Sequence, residues 1–191
     1  MPGTPVEDME LVGRARDGDA AAFTALVKRY QDRIYNVTWR MLANADDAAD
    51  VAQETFLAAW EGLGCFRGDS ALYTWLYRIA VNKALLHRRA RSSKREFAAS
   101  PGESMLETVE DCADGPAAAA ERTERARMVQ RAITALPEDL KAVVILRDIE
   151  GLAYEEIAEV LEVAIGTVKS RLHRARLALR DALKGVLEVA P

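Results

Sequence analysis

Apolar residues in this chain recur at intervals of three and four. No segment sustains the alternation of apolar and polar residues that a half-buried strand requires. The stretch from Phe23 to Met41 is an example, because its apolar residues fall on one face of a helix and its polar residues on the other. Several further stretches repeat this pattern. The sequence therefore predicts an all-α fold.

Capping residues and glycines place the ends of the predicted helices. Asp19, Asn44 and Ser70 are each suited to the N-cap position, and Gly151 is expected to end a helix. The approximate bounds in the first part of the chain are 6–16, 20–41, 45–63 and 71–92. In the second part they are 121–135, 138–149, 154–161 and 167–186.

Charged and aromatic residues divide the chain into two dissimilar parts. Eleven of the twelve aromatic residues lie at or before Phe97. Eight lysines and arginines and a single acid occur from Arg67 to Arg95, whereas seven acids and one arginine occur from Glu103 to Glu124. We therefore expect two small helical domains, at 1–96 and 121–191, joined by an acidic, flexible linker at 97–120.

Composition excludes several classes of protein. The longest apolar runs are far shorter than the roughly 20 residues of a membrane helix, and the first ten residues carry no basic side chain for a secretory signal. Cys65 and Cys112 are too few for a disulfide scaffold and lack metal-ligand spacing. Nucleotide-binding, hydrolase and metal motifs are missing. We expect a cytoplasmic protein that is not an enzyme, binds no cofactor or metal and does not insert into a membrane.

A short helix, a turn and a longer basic helix near the C-terminus are typical of a helix-turn-helix. Ser170, His173 and Arg174 fall opposite the apolar seam of the last helix, where a recognition helix meets base edges. The seam consists of Val168, Leu172, Ala175, Leu179 and Leu183. Four flanking basic residues suit phosphates, namely Lys169, Arg171, Arg176 and Arg180. The alternative is a solvated amphipathic helical hairpin.

Aromatic and basic residues alternate from Phe66 to Lys83, next to a glycine-containing loop. Stacking surfaces beside cations suit unpaired bases, and a loop of small residues could accept a base turned out of the stack. The alternative is that the aromatic residues, Trp75 among them, belong to the core.

Acidic residues gather on one face of the third helix. Asp47, Asp50 and Glu54, with Gln53 beside them, would repel DNA. Spacing alone leaves two interpretations open, a solvated surface and a docking face for a basic protein.

Together these segments resemble the extracytoplasmic-function (ECF) group of sigma-70 factors, in particular the sigma-E type. Residues 46–56 are similar to region 2.2 of that family, and residues 66–82 to regions 2.3 and 2.4. Residues 136–140 and 151–158 are similar to the start of region 4, and residues 166–176 to its recognition helix.

The resemblance implies a protein that binds core RNA polymerase, directs it to promoters and helps to melt the −10 element. The residues implied in docking on the clamp helices of the β′ subunit are Asp47, Asp50, Gln53 and Glu54. Those implied in binding the −10 element are Phe66, Arg67, Asp69, Ser70, Ala71, Tyr73, Arg78, Asn82, Lys83, Arg88 and Arg89. Those implied in binding the −35 element are Thr167, Lys169, Ser170, Arg171, His173, Arg174 and Arg176.

Three further expectations follow from the resemblance. An apolar surface from Leu140 to Ile149 would meet the flap of the β subunit, the acidic linker would thread the RNA exit path, and an anti-sigma factor would hold the protein inactive. Two other functions remain as alternatives. One is a stand-alone helix-turn-helix transcription regulator, and the other is a metal-dependent nuclease using the acids at 46–50.

Overall fold

The computed structural model describes residues 5–97 and 116–187, and within them it is all-α, as predicted. Helices in the first part are α1 (Pro5–Arg16), α2 (Ala20–Leu42), α3 (Ala45–Gly62) and α4 (Leu72–Phe97), with a short 3-10 turn at Leu63–Cys65. Those in the second part are α5 (Pro116–Ala135), α6 (Glu138–Val144), α7 (Tyr154–Leu161) and α8 (Ile165–Leu187). A π-helical turn, Ile145–Ile149, extends α6.

Two of the three predicted N-caps form. The Asp19 carboxylate accepts hydrogen bonds from the backbone N–H groups of Ala21 and Ala22, at 2.9 and 3.1 Å, and the Asn44 side chain accepts one from Asp47 at 2.8 Å. The prediction for Ser70 is wrong, because α4 begins at Leu72 and the carbonyl of Ala71 accepts its first helical hydrogen bond.

Helices α1 to α4 form the first module, in which α2 lies at the centre against the other three. Tyr30, Ile34 and Val37 of α2 are fully buried, in agreement with the predicted apolar face. The carboxylate of Asp8 is also buried, and it accepts hydrogen bonds from Arg29 at 2.6 Å and from the phenol of Tyr30. These two bonds compensate for the loss of water around a buried charge and fix α1 on α2.

Helices α5 to α8 form the second module. The burial of α6 at its centre differs from what was expected of this segment. The segment from Leu140 to Ile149 was expected to present an apolar surface to the β flap, but residues 140–146 are all buried, and only Ile149 among its apolar residues is exposed. The segment packs against α8, whose residues Val168, Leu172 and Ala175 are buried as the predicted seam requires. Residues 140–146 therefore form the core of the second module.

The two modules are in direct contact. Helix α4 of the first lies against α7 of the second, and α2 lies against α5 and α6, so the buried apolar residues form one continuous cluster. Helix α5 begins at Pro116, within the stretch expected to be a linker. The rest of that stretch, residues 98–115 with Cys112, lies outside the described residues.

Candidate nucleic-acid and protein interfaces

Helix α8 exposes the face that was predicted to read bases. Lys169, Ser170, His173 and Arg174 are exposed, on the side opposite the buried Val168. The helix starts at Ile165, two residues before the predicted start, and the carbonyl of Ala164 accepts hydrogen bonds from its first turn. The four exposed side chains therefore lie in the N-terminal part of α8, just after the turn that precedes the helix. This is the part of a recognition helix that contacts base edges.

Two of the arginines predicted to contact phosphates are ion-paired within the second module. Arg171 lies 3.3 Å from Asp139, and Arg176 donates from Nε and Nη2 to the two carboxylate oxygens of Asp148. The hydrogen bond to Asp148 raises the pKa of the Arg176 guanidinium. Both residues remain at the edge of the exposed face, Arg176 exposed and Arg171 half-buried, and they brace α8 against α6 and the turn that follows it.

The acidic face of α3 is at the surface, but two of its members already bind cations of α4. Asp50 and Gln53 are exposed. Glu54 is also exposed and lies 3.2 Å from Lys83, while the half-buried Asp47 pairs with His87 at 3.2 Å and with Arg91. Asp47 and Glu54 therefore hold α3 against α4, while Asp50 and Gln53 on the same face are open to solvent.

Beside this acidic face lies an apolar groove that the sequence patterns did not indicate. It has a volume of about 510 Å³ between α2 and α3. Leu57 and Trp60 on its wall are 56% and 41% exposed, and the ring of Phe23 meets Trp60 edge to face at 4.9 Å. Leu57 and Trp60 are three residues apart and lie off the buried seam of α3, and this spacing was the available signal in the sequence.

The loop before α4 agrees only in part with the predicted −10 site. Arg67 and Asp69 are exposed, and Ser70 and Ala71 are half-buried. Phe66 corrects its assignment, because it is buried in the core with its ring centroid 5.0 Å from that of Trp75. The core interpretation therefore applies to Phe66.

Along α4, the remaining predicted −10 residues lie on more than one face of the helix. Asn82 and Arg89 are exposed, while Tyr73, Arg78, Lys83 and Arg88 are half-buried. Asn82 and Arg89 line a groove of about 400 Å³ whose other wall is the second module, including Glu138, Asp139 and Arg171. Asn82 and Arg89, which were assigned to DNA, thus face the neighbouring module, whereas Lys83 lies against Glu54 of α3.

Carboxylates of the second module bind donors on this side of the first, which sequence reasoning missed. The phenol of Tyr73 donates to Glu156, and that of Tyr77 donates to Glu150. Arg33 lies 3.3 Å from Glu150, and Arg88 lies 3.3 Å from Glu138. Burial raises the pKa of both phenols, as do their carboxylate partners, so each tyrosine is a neutral donor.

Comparison with known families adds to this geometry. Residues 26–94 match the model described as Sigma-70 region 2, and residues 126–179 match Sigma-70, region 4. The chain is 43% identical to the RNA polymerase sigma-H factor of Pseudomonas aeruginosa, over 98% of this chain and 99% of that protein. The chain belongs to the sigma-70 family. It is also 39% identical to the ECF RNA polymerase sigma-E factor of Haemophilus influenzae, over 94% of this chain and 97% of that protein, which places it in the ECF group.

A solved structure shares the fold of both modules together. This is the sigma factor RpoE of Bartonella quintana in complex with the anti-sigma factor NepR, at 24% identity and a TM-score of 0.72, over 85% of this chain and 96% of that one. Membership of the family confirms the sigma-factor function that was expected, and the stand-alone regulator is not favoured. The family is not a class of enzymes.

In residues 5–97 and 116–187, no group of three or more histidine, cysteine or acidic side chains is placed to hold a metal ion. No helix in this same part of the chain is long and apolar enough to cross a bilayer.

Proposed function

We propose that this sigma factor binds core RNA polymerase through α2 and α3, holds the melted −10 strand on the loop before α4 and on α4 itself, and reads the −35 element with α8. The observation that carries the proposal is the division of α8 into two faces. Val168, Leu172 and Ala175 are buried, while Ser170, His173 and Arg174 are exposed beside Lys169. A helix with one face fixed in a core and one polar, cationic face fits the major groove, where side chains contact base edges.

The polymerase surface combines charge with apolar area. Asp50, Gln53 and Glu54 provide a polar, acidic rim, and the groove lined by Leu57 and Trp60 provides apolar area next to it. Protein interfaces are commonly built from an apolar centre and a charged rim that steers association. Such a surface suits a basic face on a protein partner, which the family resemblance implies to be the clamp helices of the β′ subunit.

The −10 surface that we propose consists of exposed donors and cations in the loop before α4 and along α4 itself. Arg67 and Arg89 suit backbone phosphates, and Asn82 can bond to a base edge. The half-buried Ser70 and Ala71 line the loop, where small side chains leave room for an unstacked base. Phe66 supports this surface from the core, since it packs on Trp75 beneath the loop.

An anti-sigma factor is the further partner that we propose. The Bartonella quintana sigma factor, whose fold this chain shares, was solved with an anti-sigma factor bound. The same exposed groove beside α3 is a surface that such a partner could cover.

Run-off transcription tests the proposed function. Purified core polymerase would be incubated with a pooled promoter library, with and without this protein. We expect new transcripts from templates that share a pair of −35 and −10 sequences. Duplex binding without any protein-dependent transcript would instead overturn the proposal and favour a DNA-binding regulator.

A further inference from the structure

The carboxylates of Glu150, Glu156 and Glu138 hold the second module on the first at three points along α4. Glu156 accepts a hydrogen bond from Tyr73, near the start of the helix. Glu150 accepts one from Tyr77 and one from Arg33. Glu138 lies 3.3 Å from Arg88, about three turns further along α4. The contact is therefore a row of acid-to-donor bonds spread along one helix.

Glu150 is the central member of this row. Its side chain is only 8% exposed, and Tyr77 is 1% exposed. A buried carboxylate has lost most of its water and depends on its remaining donors, here a phenol and a guanidinium group. Arg33 also donates to the backbone carbonyl of Glu150, at 3.5 Å. If the two modules touched only at their surfaces, the Glu150 carboxylate would remain in solvent. Its burial therefore shows a close contact between the modules.

The row occupies part of the surface proposed for the −10 strand. Tyr73 and Arg88 are both in the proposed −10 site, and both are bound by glutamates of the second module. Asn82 and Arg89 face Glu138 and Asp139 across the groove between the modules. Acidic side chains on this wall repel a nucleic-acid strand as well as compete with it for donors.

The spacing of promoter elements makes the same contact incompatible with promoter binding. Elements centred near positions −35 and −10 are separated by about 25 base pairs, or about 85 Å of duplex at roughly 3.4 Å per base pair. Modules joined by direct hydrogen bonds between α4 and α7 cannot reach both elements. The structure is therefore a closed state, and promoter binding requires the modules to separate.

We propose that this sigma factor restrains itself: Glu150 and Glu156 latch the second module over α4, and the latch must open before the −10 strand can bind. This inference rests on the proposed function for its biological meaning. The latch stabilises the closed state, so the competent open state is only a fraction of the free protein. The apparent affinity for the promoter complex is the affinity of the open state multiplied by that fraction.

The test compares two double variants of the full-length chain. Glu150→Gln with Glu156→Gln removes both latch charges while keeping side-chain shape. Glu155→Gln with Glu159→Gln is the matched control, because these two acids are exposed on α7 and the change in net charge is identical. Any general gain in affinity for DNA from lost negative charge is therefore the same in both. Glu150→Lys, which places a cation beside Arg33, is a stronger second variant that opens the latch by repulsion.

The first readout is the distance between the modules, measured by pulsed EPR without DNA or polymerase. Spin labels on Cys65, which is exposed, and on an Ala178→Cys side chain of α8 report it in a Cys112→Ser background. We expect a longer and broader distance distribution for the latch variants than for the control and the unsubstituted chain. Equal distributions in all of them would overturn the latch.

The second readout is transcription with core polymerase at limiting sigma factor, on promoters selected with the unsubstituted protein. The latch variants should reach half-maximal transcription at about tenfold lower concentration than the control. Identical concentration dependence would also overturn the latch. Failure of the proposed function looks different: the unsubstituted protein then gives no promoter-dependent transcripts, while the EPR distances still decide whether Glu150 and Glu156 close the modules.

Discussion

The ammonium group of Lys83 lies 3.2 Å from a carboxylate oxygen of Glu54, and this contact joins the proposed polymerase surface to the proposed −10 surface. Glu54 belongs to the acidic face of α3, and Lys83 is one of the basic residues of α4 that were assigned to the −10 element. The Glu54 side chain is 59% exposed, so solvent screens the pair, and such pairs typically contribute about 0–1 kcal/mol to stability. The pair therefore adds little to the stability of the fold, and the role that we propose for Glu54 is in binding a partner.

Replacing Glu54 should affect association with polymerase rather than folding. In Glu54→Gln we expect the free energy of unfolding to change by less than about 1 kcal/mol, because the pair is exposed. The association rate with core polymerase should fall and depend less on salt, because rim charges steer encounter. Urea unfolding and association kinetics at two ionic strengths measure these effects. Glu10→Gln, an exposed acid on α1, is the control, and an equal loss of rate in it would remove the specific role of Glu54.

Lys141 is expected to destabilise the folded protein at neutral pH. Its side chain is 0% exposed, and its ammonium nitrogen has no hydrogen-bond partner. Burial, and then the nearby Arg88, lower the pKa of Lys141 to about 8 from an ordinary value of 10.5, although Glu138 acts in the opposite direction. A shift of this size corresponds to about 3 kcal/mol of destabilisation when both pKa values lie above the pH.

The sign of the pH dependence follows from this lowered pKa. Between about pH 8 and 10 the unfolded chain keeps the proton on Lys141 while the folded chain has released it, so the contribution of Lys141 to stability rises with pH. Lys141→Met should therefore be more stable than the unsubstituted chain at pH 7, by at most about 3 kcal/mol, with a smaller difference at pH 9.5. Urea unfolding at both pH values measures it. Lys28→Met, which replaces an exposed lysine of α2, should show neither effect, and a pH-independent gain in Lys141→Met would contradict the assignment.

Periodicity recovered most of the fold because local sequence determines which face of a helix is apolar. Val168, Leu172 and Ala175 were placed in the core from their spacing alone, and they are buried. Phe66 and residues 140–146 were misplaced because an apolar residue fits equally well in a core and in an interface. The packing of Phe66 on Trp75 shows that Phe66 belongs to the core, and this contact is visible only in the structure.

Long-range polar contacts lie beyond such reasoning for a different reason. Tyr77 and Glu150 are 73 residues apart, and nothing in either local sequence indicates the other. The burial of Lys141 was not predicted because lysine is almost always exposed, and Arg88 of the first module is one of the charges near it. The latch and the surroundings of the buried lysine both involve residues of the two modules that are far apart in the sequence. Local sequence patterns do not indicate which such residues meet.

Asn82 should act in −10 recognition and not in polymerase binding. It is exposed on α4, on the wall of the groove between the modules and away from the acidic face of α3. Asn82→Ala should reduce promoter opening, followed by permanganate reactivity of the −10 thymines, and should leave affinity for core polymerase unchanged. Asn36→Ala, an exposed asparagine on α2, is the matched control. Loss of core binding in Asn82→Ala would show that the roles of the two surfaces are assigned wrongly.

Arg174 should discriminate between −35 sequences. It is exposed on α8 beside His173, and neither residue belongs to the ion pairs that hold Arg171 and Arg176 in place. A base-reading arginine typically contributes about 1–3 kcal/mol of discrimination, so Arg174→Ala should bring matched and mismatched −35 duplexes closer in affinity by about that amount. Fluorescence anisotropy at fixed salt on the two duplexes measures the difference. Arg180→Ala should weaken both duplexes equally, since a phosphate contact carries no sequence information, and the same uniform loss in Arg174→Ala would make Arg174 a phosphate contact as well.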